Sequence, residues 1–177
     1  MSYQVLSLKY RPQSFDDVVG QTHVTQTLVN AFKKERVAQG YIFTGPRGVG
    51  KTTTARIMAK GLNCSDSKNG QPCNDCTVCN EITESRNLDV LEIDGASNRG
   101  IEEIRNLREL IKFTPMNAPY KIFIIDEVHM LTTQHLMHYY VPWKSRQLMG
   151  NSLCVPQIFI NYLPQLFPGV SDLISIV

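Results

Sequence analysis

No apolar run in the chain reaches the roughly 20 residues needed to span a bilayer, and the amino terminus lacks the basic and apolar regions of a secretory leader. A membrane partner is therefore not expected, and the expected compartment is cytoplasmic. Internal repeats and low-complexity segments are also missing, which argues against a solenoid or a disordered linker. The net charge is only +2, too slight to argue for a nucleic-acid surface on its own. Charge is scarcest at the carboxyl end, where residues 135–177 carry only Lys144, Arg146 and Asp172. What is present is enough for one domain with a real core, since the chain has 177 residues, or for a domain and a fragment. There are five cysteines, which would be awkward as disulfides in a reducing compartment. Four of them cluster, which points to a metal.

The most informative stretch is Gly45-Pro-Arg-Gly-Val-Gly-Lys51-Thr52, between the apolar run Tyr41–Thr44 and a helix-forming segment from Thr53 to Lys60. It satisfies every required position of the phosphate-binding loop. The glycines let successive N–H groups curl inward toward a polyphosphate, and the positive end of the following helix adds to that field. Gly45, Pro46, Arg47, Gly48, Val49, Gly50, Lys51, Thr52 and Thr53 are thus expected to hold a nucleotide. Lys51 would bridge its outer phosphates, and the Thr52 hydroxyl would meet Mg²⁺.

Before this loop, Val24, Leu28, Ala31 and Phe32 recur at helical spacing and Lys33-Lys-Glu-Arg36 closes the helix. After it come Cys64 and then Cys73-Asn-Asp-Cys76-Thr-Val-Cys79, with the turn-rich Asn69-Gly-Gln-Pro72 between. Four thiolates match the number and softness that a structural, tetrahedral Zn²⁺ prefers, with an iron–sulfur cluster as the alternative. Leu88–Asp94 alternates apolar and acidic residues like a strand, and Gly95–Gly100 turns into a helix with Ile101, Ile104, Leu107, Leu110 and Ile111 on one face. Lys121-Ile-Phe-Ile-Ile-Asp126-Glu127 is an apolar strand ending in two carboxylates. In a doubly wound α/β sheet, whose ligands lie at the carboxyl ends of the strands, Asp126 would approach the Mg²⁺ shell and Glu127 an attacking water.

Together with Lys9-Tyr-Arg-Pro-Gln-Ser-Phe-Asp-Asp-Val-Val-Gly-Gln21 and Asp126-Glu-Val-His-Met-Leu131, these motifs resemble the gamma/tau family of bacterial DNA polymerase III, the AAA+ ATPases of the sliding-clamp loader. The resemblance implies an AAA+ P-loop fold, a parallel sheet flanked by helices, with a zinc module inserted at residues 64–79. It implies ATP, Mg²⁺ and Zn²⁺ as cofactors, with Lys51, Asp126 and Glu127 as catalytic residues. Thr52 and Asp126 would hold magnesium, and Cys64, Cys73, Cys76 and Cys79 zinc. Arg11, Pro12, Val18 and Val19 would border the adenine, and Arg99 would approach DNA. The implied partners are other clamp-loader subunits, the sliding clamp, primed DNA and the polymerase core. A non-hydrolysing AAA+ scaffold and a zinc-knuckle nucleic-acid binder are the rival readings. The second is disfavoured because Asn74, Asp75, Thr77 and Val78 are not the basic and aromatic residues such a knuckle uses.

The resemblance covers residues 1–134 and then stops. The family continues with a helix reading Ala-Phe-Asn-Ala-Leu-Leu, a Glu-Glu-Pro-Pro turn, a strand ending in Ala-Thr and a Ser-Arg-Cys motif, where this chain has His135-Leu-Met-His-Tyr-Tyr140. Loss of one nucleotide near codon 134 would account for the break; the rival reading is a selected alternative carboxyl terminus that packs in its own way. The third base of Met137 with the first two of His138 must give Ala, Trp143 with Lys144 must give Glu, Met149 with Gly150 must give Gly, and Asn161 with Tyr162 must give Leu. Residues 135–177 are accordingly expected to be a frameshifted tail behind a truncated domain. The implied losses are the neighbour-facing arginine, the polar sensor of the next strand, the lid and the oligomerisation collar. The sheet is expected to be incomplete on its carboxyl-terminal side, with Ile122, Phe123 and Ile124 uncovered and hydrolysis impaired.

Overall fold

The computed structural model describes residues 6–38, 40–97, 109–110, 113–126, 157–162 and 174–176. Among the described residues, the helices α1 (Leu6–Lys9), α2 (Thr22–Lys33), α3 (Lys51–Asn63) and α4 (Thr77–Thr83) accompany the strands β1 (Gly40–Thr44), β2 (Val90–Asp94), β3 (Ile122–Asp126), β4 (Gln157–Tyr162) and β5 (Ile174–Ile176). Every strand pairing is parallel, in the order β2-β3-β4-β1-β5. The strands in the middle of such a sheet are covered on both faces and so read as continuous apolar runs. That explains β3, whose Ile122, Phe123, Ile124 and Ile125 are all buried.

The core joins β1 and β3 to the inner faces of α2 and α3. Leu28 of α2, Ile57 and Met58 of α3, Tyr41 and Phe43 of β1, Ile122 and Ile124 of β3 and the isolated Phe15 form one cluster. Each such side chain contributes about 1.5–3 kcal/mol by leaving water. Polar tethers fix where β3 begins. The Asn63 side chain, at the end of α3, donates to the Tyr120 carbonyl and accepts from the Tyr120 N–H, both at 3.0 Å. Asp89 is buried, and its carboxylate accepts the backbone N–H groups of Met116, Asn117 and Ala118 at 2.8–3.0 Å. These bonds satisfy a buried carboxylate that would otherwise be costly.

The expected gap in the sheet is not found. Residues 157–162 lie between β3 and β1, with Phe123 opposite Ile158 and Ile42 opposite Ile160, and residues 174–176 pair on the outer side of β1. Ile122, Phe123 and Ile124 are at most 2% exposed, not uncovered. Prolines flank this stretch without entering it: Pro156 precedes it and Pro164 follows, leaving Gln-Ile-Phe-Ile-Asn-Tyr uninterrupted and rich in β-branched and aromatic residues. Asn161 thereby takes a register position at the carboxyl end of β4, opposite Phe43, so that end of the strand is not without a polar residue. The helix face expected over 101–111, Arg99, Glu127 and the family-like helix after 134 lie outside the described residues, apart from the helical pair 109–110.

Candidate functional site

Parallel pairing brings the carboxyl ends of β1, β2 and β3 to one edge, with Asp94 in register with Asp126. The loop after β1 curls there through three positive-φ glycines, Gly45 (φ 133°), Gly48 (87°) and Gly50 (91°). Gly50 is the left-handed N-cap of α3, a conformation that side chains disfavour, and it aims the first N–H groups of the helix into the loop. Lys51 folds over this bend, its Nζ donating to the carbonyls of Gly45 at 2.9 Å and Pro46 at 2.8 Å. One residue on, the Thr52 hydroxyl donates to Asp126 Oδ2 at 2.7 Å. The two groups expected to share a magnesium shell are therefore in contact, although 74 residues separate them in sequence.

A cavity of about 860 Å³ opens beside the loop. It is lined by Arg47–Thr53, by Arg11, Pro12, Val18 and Val19 from the lead-in segment, and by Glu92, Asp94 and Asp126 from β2 and β3. The four residues expected around a base thus share a site with the phosphate loop, and Val19 is 93% exposed, a bare apolar surface beside the opening. Gly45 and Pro46 shape the bend without lining the cavity. Sequence reasoning missed Tyr10, Asp17, Glu92 and Asp94, which also line it. Asp94 was within reach of the rule that ligands sit at the carboxyl ends of parallel strands. Glu92 accepts from Arg56 Nε at 2.9 Å and Nη2 at 2.5 Å. Burial draws the Arg11 pKa down, Arg56 adds to that effect and Glu92 opposes it without cancelling it.

A second site lies in residues 64–79. Lys68 and Gln71 form a bridge around Asn69 and Gly70, both at positive φ, as a tight primed turn requires. Cys76 caps α4, its sulfur accepting the Cys79 N–H. The sulfurs of Cys64, Cys73, Cys76 and Cys79 all lie within 4.8 Å of one another, with Cys64 and Cys76 at 4.0 Å. Backbone N–H groups also point at Cys64 and Cys73, at 3.4 and 3.3 Å. Donors from Asp75 and Cys76 bring the Cys73 thiol down to about 7, whereas burial pushes Cys64 and Cys79 up. A cation that displaces thiol protons would resolve that contrast, and four converging soft donors fit zinc.

A family model described as DNA polymerase III, delta subunit, matches residues 20–135, well over half of the chain. The chain belongs to this family. It is 52% identical over 132 residues to the DNA polymerase III subunit tau of Bacillus subtilis and 48% identical over 132 residues to that of Escherichia coli. Those matches cover 75% of this polymerase III family chain but only 23% and 20% of the relatives, so it spans about a fifth to a quarter of their length. The expected kinship with tau and gamma subunits over its amino-terminal three quarters is borne out. Among solved structures, the Thermotoga maritima RuvB Holliday junction branch migration motor matches with a TM-score of 0.51 at 17% identity, covering 87% of this chain and 41% of that one. That likeness shows a shared fold. Among the described residues no helix is long and apolar enough to cross a membrane.

Proposed function

We infer that the chain binds Mg²⁺–ATP as the nucleotide-binding part of a DNA polymerase III clamp-loader subunit, and that it turns ATP over poorly. The observation that carries the reading is the 2.7 Å contact of Thr52 with Asp126 in a cavity that the phosphate loop also lines. In this reading the Lys51 ammonium leaves its loop carbonyls for the outer phosphates, and the loop N–H groups hold the inner ones. Thr52 and Asp126 are the residues that would hold magnesium, which supplies charge neutralisation of the phosphates. Arg11, Pro12, Val18 and Val19 flank the base, and Glu127 orients water. Zinc held by the four cysteines is structural, because four protein ligands leave no open position for chemistry.

Sliding clamp, primed DNA, polymerase core and sister subunits, in the bacterial cytoplasm, are the partners this reading assigns to the full-length relatives' context. Hydrolysis in such assemblies uses an arginine donated by a neighbouring subunit, worth about 10³–10⁵ in rate. The Ser-Arg-Cys motif that would supply it is missing from residues 135–177 as translated, and the shifted frame permits it at codons 167–170 with suitable third bases; the forced codons named above are what favour a frameshifted tail and impaired turnover. Titration with a fluorescent ATP analogue, with and without Mg²⁺, tests the binding. Uptake should require Mg²⁺ and vanish in Lys51→Ala, and Mg²⁺-independent or Lys51-independent uptake would remove the reading. Partner-free hydrolysis lost in Lys51→Ala would refute poor turnover, and separate values for affinity and turnover distinguish the motor from a non-hydrolysing scaffold. Sequencing the gene across codons 130–140 decides the tail: a second frame without the family pattern ends the frameshift idea.

A further inference from the structure

None of the four clustered cysteines lines the nucleotide cavity, yet the module that carries them grips the segment forming one of its walls. Gln71, between Cys64 and Cys73 in the chain, accepts the Phe15 backbone N–H on Oε1 at 3.0 Å across 56 residues. Lys60, in the last turn of α3, donates from Nζ to Gln13 Oε1 at 2.5 Å and to Asn74 Oδ1 at 3.1 Å, Asn74 lying between Cys73 and Cys76. Thr83, at the end of α4, reaches the same Gln13 oxygen at 3.4 Å, and Gln13 Nε2 donates back to the Arg11 carbonyl at 3.0 Å. Arg11 and Pro12 then line the cavity.

Lys60 is 2% exposed, and an ammonium so placed needs compensating partners. Burial draws its pKa down, while Cys79, Cys73 and Cys76 push it back up. The hydrogen bonds from Lys60 to Asn74 and to Gln13 tie the cysteine-bearing loop to the segment that precedes α2. The chain of contacts runs from Asn74 and Gln71 of the cysteine-bearing loop, through Lys60, to Gln13 and Phe15, and from Gln13 to Arg11 at the cavity.

We propose that Lys60 and Gln71 are positioning residues through which the cysteine module sets the base-side wall of the nucleotide cavity, so that ATP affinity depends on zinc that never touches the nucleotide. This rests on the nucleotide reading above. The phosphate loop makes none of these contacts, so the dependence falls on the base and ribose and spares the phosphates. Loss of one hydrogen bond to a charged group sets the scale, about tenfold in affinity.

The test uses the whole chain with ATP and inorganic triphosphate as competing probes against a fluorescent ATP analogue, alongside amide hydrogen exchange over residues 11–18. Gln71→Leu, Lys60→Met and removal of zinc by a chelator should each weaken ATP about tenfold, leave triphosphate affinity unchanged and speed exchange at Phe15. Lys51→Ala should abolish both ligands without altering exchange at Phe15. Equal losses of ATP and triphosphate would mean a general structural role and overturn the proposal. So would unchanged ATP affinity in a folded Gln71→Leu chain, or unchanged exchange at Phe15 after zinc removal. A parent chain that takes up neither probe sinks the nucleotide reading, while the exchange measurement still judges the coupling by itself.

Discussion

Replacing Gly61 with alanine should destabilise the protein, although an interior helical position ordinarily gains about 1 kcal/mol from that change. Gly61 lies in α3, and a Cβ built on it stands 2.2 Å from the Gly70 carbonyl oxygen and 3.1 Å from the Gly70 carbonyl carbon. Both groups are main chain, so no rotamer change relieves the clash; the Asn69–Gly70 turn must back away from α3. Its retreat is blocked, because Gly70 presses on the Phe32 ring so closely that a Cβ there would lie 2.3 Å from the ring atoms. Overpacking costs about 1–3 kcal/mol, and with both sides backed by packed groups the upper end applies, leaving a net loss of about 2 kcal/mol after the helical gain. For a chain of this size that lowers the thermal midpoint by about 4–8 °C. Far-ultraviolet circular dichroism of parent and variant measures it. Gly70→Ala should lose more, since Gly70 also sits at φ 80°. A raised midpoint in Gly61→Ala would show that helix propensity outweighs the contact, and the packing of the cysteine module on α3 would have to be abandoned.

Elemental analysis of the purified chain should find zinc bound to the cysteine set. Cys79→Ser should strip it and lower the thermal midpoint, because a buried soft ligand is lost from the metal set. Asp126→Asn removes the charge that accepts the Thr52 hydroxyl, so ATP affinity in Mg²⁺ should fall about tenfold or more, about 1.4 kcal/mol per decade, with Mg²⁺-free affinity unmoved in the same titration. Tyr41→Phe deprives the Ala38 N–H of an acceptor at 2.9 Å and should cost about 1–2 kcal/mol in denaturant unfolding near neutral pH. Burial also raises the Tyr41 pKa above 10.0, so the folded state keeps a proton that the unfolded state releases. That contribution is present below pH 10 and lost as pH rises, so the parent's alkaline decline should be steeper than the variant's.

The phosphate loop, β1, the front of α3, β3 with Asp126 and the four cysteines were legible because each announces itself within a short window, by glycine spacing, apolar runs or thiol spacing. α4 was hidden in the same letters as the metal motif: Cys76 caps it through sulfur, not through the Ser, Thr, Asp or Asn that signals a helix start. The four-residue α1 is too short to carry a period. Glu92 reads as an ordinary solvent-facing strand residue until parallel pairing with β3 brings it beside the loop. Lys60 and Gln71 read as a helix-surface cation and a turn residue. Their roles come from contacts made across 47 and 56 positions of chain, for which no local pattern exists. The completed sheet belongs with these. Whether an apolar run becomes a central strand is decided by the partners on its two sides, more than by its own composition.

The placement of β4 makes a prediction that its composition alone does not. Ile160 is flanked by Ile42 on one side and Ile125 on the other, at the centre of the sheet. Proline there removes a ladder donor and forces its ring against the adjoining strand, which is why proline is confined to edges and first positions. With proline's cost in a helix interior as a guide, Ile160→Pro should lose about 3 kcal/mol or more, a large share of the 5–15 kcal/mol that holds a typical domain. It should also uncouple β1 from β3 and expose their apolar faces, so soluble yield and the denaturation midpoint should fall together. Ile160→Ala is the control, because it keeps the ladder donor. If residues 157–162 are the strand in this polypeptide, the proline variant loses far more than the alanine variant. Equal losses would mean that the pairing of Ile160 with Ile42 is wrong.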